Sequence, residues 1–218
     1  MKERPILFSA EMVRAILDGR KTQTRRVIKP QPICTGTSGI DRFERGCLGM
    51  DYWYPSSPSG KIGIFEPPRY KCPYGVPGDR LWVRETWLNA GVEIPGCKPD
   101  EIWYREDEDE AFAISCEPHD QRPKWRPSIF MPRWASRITL EVTGIRVERV
   151  QDIIEGDIRS EGVECPEHDF HSGFCAGECS SLRGAFRTLW DSINKKRGYE
   201  WDVNPWCWVI SFRKTGDK

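Results

Sequence analysis

The segment Gly19-Arg20-Lys21-Thr22-Gln23-Thr24-Arg25-Arg26 sets a lysine, two threonines and three arginines side by side. It follows a short amphipathic pattern, so it falls where a helix ends and a strand begins. Gly19 supplies the stop that turns the chain there. Side chains beyond such a turn can reach into a cleft and hold an anionic or strongly polar ligand. Lys21 and Thr24 can also do chemistry. A threonine hydroxyl becomes a nucleophile when a neighbour takes its proton. A lysine takes that proton only if burial or a nearby cation brings its pKa down toward neutrality. Arg20 and Arg25 could then stabilise the developing negative charge. The same residues also read as an ordinary surface strand start, where threonine has good β propensity.

A second group with chemistry is Cys165, His168, His171, Cys175 and Cys179. Thiolates and imidazoles at short separations suit tetrahedral zinc, with four of the five as ligands. The spacing is not that of a standard finger, and an inserted loop with incidental cysteines is the competing reading. A zinc ion here would staple the loop rather than catalyse, and the chemistry at Lys21 and Thr24 asks for no cofactor. Cys34, Cys47 and Cys72 are more scattered.

These residues need elements to position them. Pro5 to Phe8 reads as a strand, Ser9 as an N-cap, and Met12, Val13, Ile16 and Leu17 as the apolar stripe of a helix closed by Gly19. Lys21 to Ile28 suits a strand. Residues 29–71 are rich in Pro, Gly and Ser and read as an insertion. After a turn at Val76-Pro77-Gly78-Asp79, Arg80 to Trp87 alternates as a strand, with Glu85 on an otherwise apolar side. That carboxylate is either at a solvated strand end or in a cleft paired with an arginine. Residues 88–130 form a second insertion, including an acidic run that suits a solvated surface. A strand from Ile138 to Val150 follows, with a bulge at Gly144. Next come a helix capped by Asp152 and ending near Gly162, the Cys/His insertion at 164–180, and a helix from Ser181 to Ile193. The last strand, Trp206 to Phe212, alternates Trp206, Trp208, Ile210 and Phe212 against Cys207, Val209 and Ser211. Strands outnumber helices without alternating regularly with them. The expectation is one α+β domain built on a compact barrel.

The chain has 218 residues, 30% of them charged, with a formal net charge of zero, so any nucleic-acid site must be a local patch. No apolar run is long enough for a membrane span, and the first residues lack a signal-peptide pattern, so a cytoplasmic protein is expected. Nine cysteines then read as thiols or metal ligands rather than disulfides. Ten tryptophans exceed ordinary usage; most suit a core, and one or two could stack on a base.

Ile16-Leu17-Asp18-Gly19-Arg20-Lys21-Thr22-Gln23-Thr24-Arg25-Arg26 resembles the signature of the ASCH superfamily, relatives of the PUA domain. Pro77 to Trp87 resembles that family's second strand block. Met131-Pro132-Arg133-Trp134-Ala135-Ser136-Arg137 and Asn204-Pro205-Trp206-Cys207-Trp208-Val209 resemble ASCH proteins of bacteriophages and prophages. The resemblance implies a small PUA-like β-barrel with flanking helices and long inserted loops. One branch of the superfamily is an amidohydrolase acting on N4-acetylcytidine, with a Lys-x-x-Thr in the first strand and a glutamate in a later helix. Lys21 and Thr24 match the first part, and Glu161 falls where the glutamate would lie.

Two functions follow from the resemblance. One is a hydrolase of a modified nucleoside or RNA using Lys21, Thr24 and Glu161. Glu161 would orient Lys21, or activate water while Lys21 clamps an oxyanion. The other is a non-catalytic reader of RNA or a modified nucleotide, contacted through Arg20, Lys21, Arg25, Arg26 and Arg137. Ribonuclease activity is a third. The family's cleft would lie beside the strand of Glu85, which makes Glu85 a further ligand-binding candidate.

Overall fold

The computed structural model describes residues 1–32, 42–45, 53–56, 69–90, 98, 101–107, 124–164 and 180–215. The elements are β1 (Glu3–Leu7), α1 (Ala10–Leu17), β2 (Gln23–Val27), β3 (Arg42–Arg45), β4 (Trp53–Ser56), β5 (Arg80–Arg84), β6 (Trp87–Asn89), β7 (Ile102–Tyr104), β8 (Thr139–Arg149), α2 (Glu155–Ser160), α3 (Ser180–Asn194) and β9 (Trp206–Lys214). The fold is mixed α+β. Its main sheet has the order β1-β5-β8-β9-β2, with β1 parallel to β5 and the other neighbours antiparallel.

The expected barrel is not closed by backbone pairing: among the described residues no ladder joins β1 to β2. The sheet coils nonetheless. Ile6 and Phe8 from one edge share a core with Ile28 from the other edge and with Trp206, Trp208, Ile210 and Phe212 of β9. The Arg26 guanidinium spans the gap, donating to the Leu7 carbonyl and lying 5.2 Å above the Phe8 ring. The alternation along β9 sorts its side chains as expected. The even positions fill this core, while Cys207 faces a second core of Ile153, Ile158, Leu182, Phe186, Trp190 and Trp201 beneath α2 and α3.

Several local expectations need correction. Ser9 has extended backbone before α1 but makes no side-chain capping bond; its carbonyl accepts from Val13 at 2.9 Å. Asp152 ends a short 3-10 turn, and the helix starts later, at Glu155. The alternation read through Trp87 stops at Arg84, because Trp87 leaves the sheet to pair with Tyr104 of β7. The stretch 29–71 contains the β3–β4 hairpin, so it is not wholly irregular. The bulge falls where Gly144 predicts it, with a register shift between Val142 and Gly144. No helix among the described residues is long and apolar enough to cross a membrane.

Candidate functional site

Helix α1 ends at Leu17, and Gly19 takes the left-handed φ of +75° that reverses the chain. This brings Lys21 back under the helix, where its N–H donates to Ala15 O at 2.9 Å. From the far side of the sequence the C-terminus of α2 arrives at the same place. Thr22 N–H donates to Ser160 O at 2.8 Å, and Lys21 and Glu161 form an isolated β-bridge. Gly162 makes the approach possible. Its φ is +79°, and a Cβ there would lie 2.9 Å from Ala15 Cβ and 3.1 Å from Lys21 Cβ.

The two backbones therefore deliver a lysine and a glutamate face to face. Lys21 Nζ lies 2.8 Å from Glu161 Oε2 and 2.7 Å from the Glu161 carbonyl oxygen, with 0% and 5% of the two side chains exposed. The Phe8 ring stands 5.8 Å from the ammonium. Burial lowers the Lys21 pKa. Glu161 opposes this by attraction and hydrogen bonding, while Arg26 and Arg25 add to the lowering.

Arg25 ties Glu161 to an outer ion network. Its guanidinium lies 3.5 Å from Glu161 Oε1, 2.8 Å from Asp157 Oδ2 and 3.0 Å from Glu148 Oε2. Asp157 also receives Arg146 at 2.7 Å, and Arg146 pairs with Glu148. The register explains the convergence: Arg25 on β2 and Arg146 on β8 are both opposite Val209 of β9, so they project from one face on either side of it. Burial alone would raise the Asp157 carboxyl. Hydrogen bonds and charge from Arg25 and Arg146 outweigh it and hold the group below the usual range.

Above Glu161 opens a cleft of 620 Å³. Thr24, Arg25, Arg26 and Glu161 line its floor side, α3 contributes Phe186, Leu189, Trp190 and Ile193, and Tyr70, Tyr74, Lys71 and Arg197 are among the remaining walls. The apolar stripe of α3 is thus divided. Leu182 fills core, Phe186 and Trp190 both belong to that core and border the cleft, and Leu189 and Ile193 border the cleft alone. Among the described residues, Trp190 and Trp208 are the tryptophans that line it. A carboxylate held by a fixed ammonium and a guanidinium, beside a buried hydroxyl and aromatic walls, can activate a water or orient a polar ring.

The structure thus gathers Lys21, Thr24, Arg25, Arg26 and Glu161 about one cleft, with Lys21 behind Glu161. It separates the other candidates. Arg20 is at the surface, pairing with Asp18 at 2.7 Å and Glu164 at 3.2 Å. Glu85 and Arg137 belong to a different cluster. Glu85 is buried, with Arg137 Nη2 2.8 Å from Oε2 and Nε 3.3 Å from both carboxylate oxygens. Arg137 also meets Asp107 and stacks 4.0 Å from the Tyr104 ring centre. Burial raises the Glu85 pKa, with Arg137 pulling against it. Burial, with the Glu85 charge, takes Tyr104 up to about 12. Neither Glu85 nor Arg137 lines the cleft.

Cys165, His168, His171, Cys175 and Cys179 lie outside the described residues, as do Cys34 and Cys47. Among the described residues no group of three or more His, Cys, Asp or Glu side chains is placed to hold a metal ion. Cys72 is half-buried, and burial pushes its thiol up to about 11, an unreactive state at neutral pH.

Sequence reasoning missed Asp157, Arg146 and Glu148, together with Tyr74, Trp190, Asn194 and Arg197 of the cleft. One signal for Asp157 was available: it precedes Glu161 by four residues, so a helix sets both on one face. The others depend on strand register and on how α3 docks. Comparison with protein-family models, with curated proteins and with solved structures finds no match to this chain.

Proposed function

We propose that this chain is a hydrolase of a modified nucleoside or RNA that opens the exocyclic amide of an N4-acylated cytosine, on an ASCH-type, PUA-like fold. The observation that carries the reading is Glu161: a carboxylate lining a cleft, gripped from behind by a fully buried lysine at 2.8 Å. A coiled sheet whose edges are joined through Arg26 and Leu7 also supports the PUA-like part of the reading.

The geometry favours Glu161 over Lys21 as the proton carrier. Lys21 gives two of its three N–H bonds to Glu161, and a lysine so engaged is a donor, not a base. Glu161 takes a proton from water as the water oxygen bonds to the acyl carbon. The carbonyl π electrons move onto oxygen, and the cleft-lining Thr24 hydroxyl opposes that charge, while Lys21 holds Glu161 from behind. Collapse breaks the C–N bond, and Glu161 returns its proton to the departing N4 amine. The products are a carboxylic acid and cytosine with its free amino group. The cleft's aromatic walls hold the ring, and its partial burial strengthens each charge interaction.

The test is turnover on a panel of N4-acylated cytidines, read by mass spectrometry, with Lys21→Ala and Glu161→Gln as controls. Deacylation lost in both variants supports the hydrolase. No turnover by folded protein on any member rejects it in favour of a non-catalytic reader, which the cationic and aromatic lining would also suit. Cys165, His168, His171, Cys175 and Cys179 we assign to a structural zinc ion, four of them as ligands. Metal analysis of untagged protein without zinc would remove that assignment.

A further inference from the structure

We infer that the ligand of this cleft carries a phosphate, so that the substrate is a cytidine nucleotide or a cytidine within an RNA strand rather than the free nucleoside. The inference rests on the hydrolase reading for the identity of the base, and on the charge of the cleft for the phosphate.

The charges divide into two sets. Glu161 is met inside the protein by Lys21 and Arg25, and Arg25 is met in turn by Glu148 and Asp157. That inner set is internally compensated. The outer set is not. Arg26, Lys29, Lys71 and Arg197 all line the cleft, and none of them makes an ion pair among the described residues. Glu161 is the only carboxylate among the described residues lining this cleft. Burial lowers the Arg26 pKa; the charges of Tyr74 and Glu161 oppose this, and that of Arg197 adds to it. The chain as a whole is neutral, so this excess is local and has its effect on whatever enters.

Position matters as much as sign. Thr24 and Glu161 are buried, whereas Lys29, Lys71 and Arg197 are exposed. A neutral base belongs at the inner end, between Trp190 and Trp208 on the walls, and an anionic group belongs at the rim. Arginine and lysine together suit phosphate oxygens, the first by its fork of donors and the second as a point charge. Lys29 already lies 5.2 Å from the Tyr199 ring centre, and a neutral nucleoside would leave Lys71 and Arg197 unused.

The experiment measures binding and turnover separately. Calorimetry compares cytidine, cytidine 5′-monophosphate and a short cytidine-containing RNA, at low and at physiological salt, on the wild type and on Lys71→Gln/Arg197→Gln, whose changed side chains are exposed. Turnover compares N4-acetylcytidine with its 5′-monophosphate and with an acetylated oligonucleotide. The monophosphate is expected to bind about tenfold more tightly than cytidine, with the margin shrinking as salt rises. The margin should fall to near unity in the double variant. A further gain for the RNA identifies a strand as the source of the phosphate, and no further gain identifies a free nucleotide. Equal affinity for cytidine and its monophosphate overturns the inference, whatever turnover shows. A phosphate preference without deacylation leaves the inference standing and removes the hydrolase reading instead.

Discussion

Glu161 and Glu85 are both buried carboxylates, each gripped by a cation at 2.8 Å. They differ in what surrounds the pair. Lys21–Glu161 has a cleft on one side and an ion network of Arg25, Asp157, Arg146 and Glu148 on the other. Glu85–Arg137 has packed side chains around it, with Tyr104 under the guanidinium, Met131 Sδ on the Glu85 N–H at 3.3 Å, and Asp107 at the surface end. The first pair spends its burial holding a charged oxygen where a ligand can reach it. The second ties the end of β5 to the segment after Ala135, over 52 residues of sequence. A buried ion pair is therefore not by itself a sign of a site; access to the carboxylate is what distinguishes them.

The sharpest way to break the comparison is to neutralise each carboxylate. Glu161→Gln should lower turnover by about 10³-fold, as expected for loss of a general acid–base. Glu85→Gln should leave turnover within about twofold, yet still lower the melting temperature. Matching losses of turnover in both would erase the distinction.

Stability should separate them in a second way. Glu161→Ala leaves Lys21 charged and buried, at a cost of about 3 kcal/mol. Glu85→Ala leaves Arg137, which is partly exposed, at a cost of about 2 kcal/mol. Urea unfolding of the two variants checks the order. Lys21→Met/Glu161→Leu should recover much of the first loss while remaining inactive.

Gly162→Ala tests the backbone approach. The left-handed φ and the crowding against Ala15 and Lys21 predict a cost of about 2 kcal/mol and a displaced Lys21, with turnover falling as well. Gly78→Ala also has a positive φ but nothing near its Cβ. It should cost about 1 kcal/mol and leave turnover unchanged.

A smaller effect is the pH response of Asp157. Its folded pKa is below its unfolded one, so its stabilisation is present above the ordinary carboxylate range and is lost as pH falls through the folded pKa. Asp157→Asn should lower stability at neutral pH by about 2 kcal/mol. The gap to wild type should narrow on acidification. A constant gap would show that Asp157 does not titrate differently in the folded state. The smallest expected signal is at Cys72, where alkylation of native protein at pH 8 should be slow because the thiol titrates at about 11. Rapid labelling, read by peptide mapping, would show the thiol to be less buried than the structure has it.

Much of the frame was legible because it depends on local pattern. Gly19 needs a left-handed φ, and the alternation of β9 needs two faces. The break after Arg84 was not legible: Leu81, Val83, Glu85 and Trp87 keep a perfect period of two, yet the strand ends at Arg84 and Trp87 pairs with Tyr104 instead. The β3–β4 hairpin was hidden by its Pro- and Ser-rich sequence. At the site, Lys21, Thr24 and the arginines announced themselves by type and spacing, whereas Glu161 came from a resemblance and Asp157, Arg146 and Glu148 not at all.

The sequence by itself determined that the chain turns at Gly19, that a largely polar strand follows the turn, and that β9 and α3 are two-faced, since these follow from backbone sterics and hydrophobic period. Tertiary structure alone decided which charges meet. Lys21 and Glu161 are 140 residues apart, Arg25 and Arg146 share Val209 only through register, and Glu85 lies away from the cleft, paired with Arg137 52 residues on. Charge–charge contact depends on distance in space, and no sequence period encodes distances between strands that pair across the fold.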